Sequence, residues 1–303
     1  MERRAAVVGH AAMLAFSALV ALSFTFGSLV ANEIAPSVLT ALRFVIAAAT
    51  LAGVGLTCGV RSRFRLSEAW CWLVIGGLMS VYFITMFVAL GLTSSLATSA
   101  VFTLTPLMAA AIGWLLNRQR ADSLTLVALA IGAFGALWVI FRADIDKVLA
   151  FEVGTGEAIF LVGAAAHAAV PGATRRLAPG VSSYTAALGT VLGALVVTSV
   201  YALPEALQTE FSSLSPLVWW VALYLGVFTT AGTFYLIQVA IPRLSPGKVM
   251  AYTYLVPSWV LVHGLFLGVH EQARLYVGVL ITLVALILLL SADMRRTRET
   301  DSA

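Results

Sequence analysis

Two prolines near the middle of long apolar segments, Pro106 and Pro257, could create polar points inside an otherwise apolar structure. Proline has no N–H, so in a helix the carbonyl four residues earlier, of Phe102 or Thr253, loses its hydrogen-bond partner. In hydrocarbon an unpaired backbone group is costly unless protein or water satisfies it. We therefore expect both prolines to kink their helices and both carbonyls to face a cavity or a polar neighbour. The alternative is a pair of packing kinks with no binding role.

His167 is the ionisable side chain expected near the middle of its apolar segment, and Pro171 four residues later would free the carbonyl of His167 itself. A titratable group at this depth is costly and indicates a function, such as a proton relay or a substrate contact. The alternative is a neutral imidazole that a neighbouring hydroxyl or carbonyl satisfies, which costs less in lipid than a carboxylate does.

Aromatic, thioether and polar side chains recur at helical spacing on four further segments. Such stripes are commonly lipid-facing or core residues, but the hydroxyls of Tyr82 and Tyr252 lie far from the segment ends and need a wet or polar partner. A pocket of rings, methionines and a few hydroxyls suits an apolar or aromatic organic molecule. The candidate cavity residues are Met79, Tyr82, Met86, Thr98, Phe102, His167, Phe234, Gln238, Tyr252 and Trp259.

The elements that must position these residues are membrane-spanning helices. Hydrophobic residues make up 61% of the 303 residues and charged residues 11%, which is more apolar surface than a water-soluble fold could bury. A helix needs about 20 mostly apolar residues to cross the hydrocarbon, and short polar breaks divide this all-α chain into ten such helices. The predicted spans are Val7–Val30, Pro36–Thr57, Ala69–Leu92, Ser94–Leu116, Leu124–Phe141, Glu157–Thr174, Ser183–Leu203, Pro216–Ala240, Val249–Val269 and Leu275–Ala292.

The second half of the chain repeats the first at an offset of 151 residues, which aligns Phe83 with Phe234 and the two mid-helix prolines with each other. The split between the third and fourth spans at Thr93 rests on this repeat. The corresponding break at residues 242–248 holds two prolines and a glycine and therefore indicates a turn. Because five helices is an odd number, the second copy must be inverted in the membrane. The predicted units are 7–141 for the first repeat, 157–292 for the second and 293–303 for a cytoplasmic tail.

Basic residues indicate how the helices are oriented. If the amino terminus is cytoplasmic, 14 of the 18 Lys and Arg residues fall on the cytoplasmic side and three on the other, while Arg43 lies within the second span. This asymmetry satisfies the positive-inside rule and places both termini in the cytoplasm. The first apolar run is about 24 residues, which is longer than that of a cleaved signal peptide and predicts a retained helix.

The motifs of soluble enzymes and of nucleic-acid binders are missing from the sequence. There is no phosphate-binding loop, dinucleotide-binding glycine pattern or nucleophile elbow, so no enzyme activity and no cofactor are expected. His270–Arg274 resembles half of a zinc-protease motif but lacks the second His, so no metal is expected either. No basic patch with interleaved aromatics indicates nucleic acid. Cys58 and Cys71 flank one inner loop, where thiols stay reduced, so no disulfide is implied.

The chain resembles the drug/metabolite transporter superfamily, whose EamA-type repeat of five helices occurs twice. The resemblance runs from about Ala11 to Ser291 and is carried by Leu-Arg-Phe at 42–44, by Pro106 and Pro257 and by Gly-Val-His-Glu at 268–271. Within the superfamily the chain is most similar to the YddG-type exporters of aromatic and other apolar amino acids. The resemblance implies that helices 1, 3, 4, 6, 8 and 9 line a central cavity and that helices 2, 5, 7 and 10 form the outer wall.

Two charged residues stay open to more than one interpretation. Arg43 lies about 10 Å below the outer surface by helical rise and could neutralise a substrate carboxylate. Its place on the implied outer wall favours instead outward snorkelling or pairing with a helix end. Glu271 follows the ninth helix, where members of the superfamily often carry Glu. The first copy reads Asn117-Arg-Gln-Arg120 at that place, so we interpret Glu271 as a helix-connection residue.

Together these patterns predict a secondary transporter that exports small apolar or aromatic amino acids and related metabolites by alternating access around a central midplane cavity. The alternative is a facilitator or carrier for other small metabolites or drugs of the same superfamily. The expected partners are the small-molecule substrate and the lipid bilayer, without nucleic acid, and the expected oligomeric state is a monomer. The predicted location is the cytoplasmic (inner) membrane of a bacterium, which the chain crosses many times.

Overall fold

Ten helices make up the bundle in the computed structural model of the chain, which describes residues 2–60, 66–117, 123–144, 146, 153–244 and 246–301. Each of the ten is long and apolar enough to cross a membrane, which confirms the predicted all-α fold with ten transmembrane helices. Seven of them are uninterrupted: α1 (Glu2–Val30), α2 (Pro36–Thr57), α3 (Ala69–Leu90), α5 (Ser123–Ile140), α6 (Thr155–Leu177), α7 (Ser183–Gln208) and α10 (Ala273–Asp301).

The other three helices change geometry part-way along. Pro106 and Pro257 each lie second in the α-helical segment that follows an interruption, where the missing N–H costs nothing. The predicted kinks are therefore complete breaks in the α-helical pattern. The segments are Ser95–Phe102 and Thr105–Asn117 in α4; Pro216–Gly226, the π-helical Val227–Gly232 and Thr233–Ala240 in α8; and Pro246–Ala251, the 3₁₀-helical Tyr252–Leu255 and Val256–Phe266 in α9.

Serine side chains begin two of the helices. Ser94 accepts a hydrogen bond from the Ala97 N–H at 3.1 Å and so caps α4, which places the predicted break at Thr93 between α3 and α4. Ser182 caps α7 in the same way through the Thr185 N–H at 3.2 Å. Each cap satisfies a backbone donor that has no partner in the first helical turn.

Several predicted helix boundaries differ from the structure by a few residues, and three of them concern a proline or the predicted tail. α7 continues to Gln208, five residues past the predicted end at Leu203, with Pro204 inside the helix. Pro246 begins α9 instead of belonging to the preceding turn, because proline fits the first helical position well. α10 continues to Asp301, so the segment predicted as a tail at 293–303 begins as helix.

The helices pack as two matching sets. α3 packs on α6 and α7, and α8 packs in the corresponding way on α1 and α2. Corresponding helices of the two halves also meet, because α4 packs on α9, α5 on α10 and α2 on α7. Since each half has five helices, an approximate twofold axis in the membrane plane relates the halves, as inverted repeats require.

The pair α3 and α7 meets at glycines that let the two backbones touch. A Cβ added to Gly76 would overlap the backbone of Gly193 and Ala194, and a Cβ added to Gly193 would overlap the Trp72 carbonyl. Ser80 joins the pair by donating a hydrogen bond to the Ala194 carbonyl at 3.2 Å. Small residues allow this close approach between membrane helices, so the contact fixes the outer side of α3.

We expect Gly76→Ala to lower the melting temperature of the detergent-solubilised protein, because the added methyl group would meet backbone atoms that cannot rotate away. Overpacking of this kind costs about 1–3 kcal/mol. Gly77→Ala is the matched control, since a Cβ at Gly77 meets no atom within 4 Å and alanine favours helix over glycine. Thermal unfolding followed by size-exclusion fluorescence measures both variants, and an equal effect of the two would contradict the close-contact account.

Candidate functional site

A small cavity of about 30 Å³ lies at the centre of the bundle, between α1, α3, α6, α7 and α8. Five rings line it, together with hydroxyl and amide groups and a few aliphatic side chains. The rings belong to Phe16, Tyr82, Phe83, His167 and Phe234, and the polar groups to Ser23, Thr190, Thr229, Thr233 and Gln238. This central cavity is mostly apolar, with a small number of polar groups that could orient a ligand.

The central cavity lies where the two repeats meet. Phe83 and Phe234, which the offset of 151 residues aligns, stack on each other with ring centroids 6.2 Å apart and planes 16° apart. Tyr82 and Thr233, which share the same offset, both line the cavity. Equivalent residues meet only near a symmetry axis, so the cavity has the position that an inverted-repeat fold gives to a substrate site.

Five of the ten predicted cavity residues line the central cavity: Met79, Tyr82, His167, Phe234 and Gln238. Phe102 lies directly behind them. Its ring centroid is 5.5 Å from that of Tyr82 and 4.9 Å from that of His167, so α4 reaches the site through this ring.

The other four predicted residues do not line the central cavity. Met86 is fully buried in the core, and the Thr98 hydroxyl donates to the Ser94 carbonyl of its own helix at 3.0 Å. The Tyr252 hydroxyl pairs with Nδ1 of His10 at 2.8 Å, and the Trp259 indole donates to Oγ of Ser17 at 3.2 Å. Helical spacing predicted these residues on inward faces. At their depth along the helices, however, these faces lie outside the central cavity.

The carbonyls freed by Pro106 and Pro257 are satisfied within their own helices. The Thr105 hydroxyl donates to the Phe102 carbonyl at 2.5 Å, and the Val256 N–H donates to the Thr253 carbonyl. Of the two expected surroundings, a cavity or a polar neighbour, these carbonyls therefore have the polar neighbour. A hydroxyl or a tighter turn replaces the lost hydrogen bond, as membrane helices require.

His167 faces rings instead of hydrogen-bonding groups. Its side chain is 4% exposed, and its Nδ1 has no hydrogen-bond partner among the described residues. The imidazole lies 4.7 Å from the Tyr82 ring, measured between centroids. The alternative of a histidine that a hydroxyl or carbonyl satisfies is thus not met at Nδ1, which is buried and has no hydrogen-bond partner among the described residues. Pro171, one turn later in α6, is buried beside it.

Arg43 is the functional candidate that the sequence placed wrongly. Its side chain is 0% exposed and points from α2 into the bundle, so outward snorkelling is excluded. Nε donates to Oγ1 of Thr230 at 2.8 Å and Nη2 to Oγ1 of Thr229 at 3.1 Å. Its guanidinium carbon lies 3.8 Å from the centroid of the Phe83 ring. The signal in the sequence was a cation within an apolar span, which by default marks a functional position.

A second cavity, of about 370 Å³, lies at the end of the bundle where α1 ends and α4 begins. Its lining includes Thr25 of α1, Ser94 and Ser95 of α4, and Glu271 after α9. Glu271, which we interpreted as a helix-connection residue, therefore also borders this opening.

Three phenylalanine rings separate the two cavities. Phe24 lies between Ser23, which lines the central cavity, and Thr25, which lines the second. Its ring centroid is 5.7 Å from that of Phe102 and 5.8 Å from that of Phe160, and the three rings are at most 3% exposed. We call Phe24, Phe102 and Phe160 the aromatic seal, because their rings bring α1, α4 and α6 into contact between the two cavities.

Within the described ranges, no group of three or more His, Cys, Asp or Glu residues could hold a metal ion. The central cavity presents rings, hydroxyls, an amide and an imidazole. These groups can bind an organic molecule by stacking and hydrogen bonding.

Comparison with known proteins agrees with this architecture. The model of the EamA-like transporter family matches residues 7–141 and 154–291. A protein of known crystal structure shares the fold with a TM-score of 0.70 and 19% sequence identity, over 95% of this chain and 98% of that one. No curated protein sequence matches the chain.

We expect Phe102→Ala to connect the two cavities, because it removes the ring that touches both Phe24 and Phe160. A membrane-impermeant maleimide, added on the side where α1 ends, should then label a Ser23→Cys reporter faster, in a background where Cys58 and Cys71 are replaced by alanine. Phe134→Ala is the control, since that ring is 57% exposed on α5. Unchanged labelling in Phe102→Ala would show that the aromatic seal is not the barrier.

Proposed function

Because the chain belongs to the EamA-like transporter family, we propose that it exports small apolar and aromatic amino acids and related metabolites from the bacterial cytoplasm. The family membership and the ten apolar helices make it a multi-pass membrane transporter. The proposal adds the substrate class, the direction and the mechanism. It takes 7–141 and 157–292 as the two repeat units of a monomer in the inner membrane.

The observation that carries the substrate class is the concentration of rings at the repeat interface. Phe83 and Phe234 stack across the axis, and Tyr82 and His167 continue the aromatic surface. A flat ring of a ligand can stack here, and each aromatic pair contributes about 0.5–1.5 kcal/mol beyond its buried area. Gln238 and Thr229 supply the polar groups that an amino acid backbone needs.

Alternating access is supported by barriers on both sides of the central cavity. The aromatic seal closes the side of the second cavity. On the opposite side, the hydrogen bond between His10 and Tyr252 joins α1 to α9, and Leu244 packs against Gly9 of α1. Because α1, α4, α6 and α9 are the helices that meet at these barriers, rocking of one repeat against the other could open one side while closing the other.

The direction of transport follows from the topology that we propose. The positive-inside rule puts both termini in the cytoplasm, so the second cavity opens to the outside and the His10–Tyr252 contact lies on the cytoplasmic side. Among the described residues the central cavity has no carboxylate in its lining. Tight coupling to protons through a buried acid is therefore not part of the proposal.

Transport assays with the purified protein in proteoliposomes test the substrate class. We expect flux of labelled phenylalanine, and a two- to tenfold loss of that flux in Tyr82→Ala and Phe234→Ala, which follows from about 0.5–1.5 kcal/mol of lost stacking. Threonine flux should change less, because threonine has no ring.

Phe134→Ala is the control for a general effect of ring removal. The Trp219 side chain is 44% exposed near the start of α8, so Trp219→Ala should reduce membrane insertion more than flux. Equal phenylalanine flux in Tyr82→Ala, Phe234→Ala and Phe134→Ala would contradict the assignment of the site. Absence of any amino acid flux, with transport of other metabolites or drugs, would favour a different substrate class.

The cytoplasmic barrier makes a separate prediction. Tyr252→Phe removes one hydrogen bond, which has a net value of about 0.5–1.5 kcal/mol, so the inward-open state should be populated two- to tenfold more. A Thr190→Cys reporter in the central cavity should then react faster with a maleimide added on the cytoplasmic side. Tyr235→Phe is the control, because Tyr235 is 45% exposed on α8. No difference between the two variants would exclude this contact as a barrier.

A further inference from the structure

We propose that the Arg43 guanidinium forms a carboxylate subsite at the wall of the central cavity, which binds the carboxylate of the substrate and rejects amines that lack one. This inference rests on the proposed function, since it names the part of an amino acid that the cavity recognises. It assigns to Arg43 the choice between anionic or zwitterionic ligands and cationic ones.

Arg43 is a buried cation without an anion. Its side chain is 0% exposed, and among the described residues its hydrogen bonds go to Thr229 and Thr230 only. No carboxylate of the described residues forms an ion pair with the Arg43 guanidinium. A buried charge is costly unless it is paired, so a site that keeps one unpaired is prepared for a ligand of opposite charge.

The guanidinium is held so that one nitrogen stays unused. Nε and Nη2 donate to the hydroxyls of Thr230 and Thr229, and both hydroxyls donate in turn to the Leu225 carbonyl at 2.8 and 2.9 Å. The guanidinium plane is fixed further by the Phe83 ring. Nη1, which carries two N–H groups, has no hydrogen-bond partner, and a carboxylate oxygen is the acceptor that an arginine binds most strongly.

Arg43 lies directly behind residues that line the central cavity and is not itself part of the lining. Thr229 and Phe83 both contact the guanidinium and both line the central cavity. A ligand whose ring stacks near Phe234 could therefore place its polar end near Thr229, the lining residue that accepts a hydrogen bond from Arg43. The π-helical turn Val227–Gly232 brings Thr229 and Thr230 to this place, and such turns occur frequently at functional sites.

The charge of the site gives the selectivity. Tyr82 and His167 are the titratable groups in the cavity lining, and neither brings a negative charge near neutral pH by its ordinary chemistry. The field in the cavity is therefore set by Arg43 and is positive. It attracts a carboxylate and repels an ammonium group that arrives without one.

A purely structural cation would have the same hydrogen bonds but a different consequence. If Arg43 served only to join α2 to α8, its loss would reduce the amount of folded protein and leave ligand preference unchanged. A subsite, in contrast, shows its charge preference in the unaltered protein. The decisive measurement therefore uses two ligands that share a phenyl ring and a two-carbon chain and differ in charge, 3-phenylpropionate and phenethylamine.

The experiment measures the melting temperature of the detergent-solubilised wild-type protein against the concentration of each ligand. We expect 3-phenylpropionate to bind at least tenfold more tightly than phenethylamine, a difference of about 1.4 kcal/mol. Equal affinities, tighter binding of the amine, or no binding of either ligand would overturn the proposal. This readout needs no transport, so selective binding of 3-phenylpropionate without phenylalanine flux would reject the proposed function and leave the carboxylate subsite standing.

Substitutions then assign the preference to Arg43. Arg43→Met, which keeps an unbranched apolar stem without the charge, should remove the discrimination, and Arg43→Lys should keep part of it, because an ammonium retains the charge without the planar fork. Arg243→Met is the matched control, since Arg243 is exposed and bonds the Val239 carbonyl of its own helix. Full discrimination in a folded Arg43→Met variant would overturn the proposal, and if that variant does not fold, Arg43→Lys and the wild-type comparison decide.

Discussion

Every backbone polar group that lies within a bilayer must find its partner inside the protein, and this constraint explains where the helices of this molecule are regular and where they are not. The interrupted helices are α4, α8 and α9, and groups of the same helix satisfy the disturbed backbone. Threonine supplies the replacement bonds: the Thr105 hydroxyl serves the Phe102 carbonyl, and the hydroxyls of Thr229 and Thr230 serve the Leu225 carbonyl. The interruptions thus concentrate polar groups and adaptable backbone around the central cavity.

The two repeats are related by symmetry, but their corresponding helix interfaces differ. The interface of α3 with α7 is closed by Gly76 and Gly193, which bring the backbones into contact. The corresponding interface of α8 with α2 instead holds the side chain of Arg43 and a π-helical turn. One interface therefore provides rigid packing and the other a charge. A symmetric pair of interfaces could not have given the cavity a polar end and an apolar end.

Aromatic rings serve two purposes at the centre of the molecule. Those of Phe83 and Phe234 lie on the axis between the repeats and form the surface on which a ligand ring can stack. Those of Phe24, Phe102 and Phe160 fill the space between the central cavity and the second cavity. Tyr82 touches both sets, since it contacts Phe83 and Phe102. A ligand that stacks against Tyr82 would therefore lie one ring away from Phe102 of the aromatic seal.

Much of the architecture was readable from the amino acids alone. Composition and the length of apolar runs determined ten membrane helices, because lipid tolerates little else, and the offset of 151 residues determined two inverted halves. Helical spacing also pointed to Tyr82, His167 and Phe234. The sequence could not determine how deep in the bundle each side chain lies or which residue of another helix it contacts. Tyr252 and Trp259 were predicted on an inward face of α9, yet they bond to His10 and Ser17 of α1.

The direction and contacts of the Arg43 side chain were also open from the sequence. A cation within an apolar span could turn outward to the headgroups or inward to the bundle, and both satisfy local chemistry. Only the packing of α2 against the π-helical turn of α8 placed the two threonine hydroxyls and the Phe83 ring around it. Periodicity and charge balance are properties of single helices, so the sequence determined them. The contacts that give the cavity its chemistry arise between helices that are distant in the chain, so only the tertiary structure decided them.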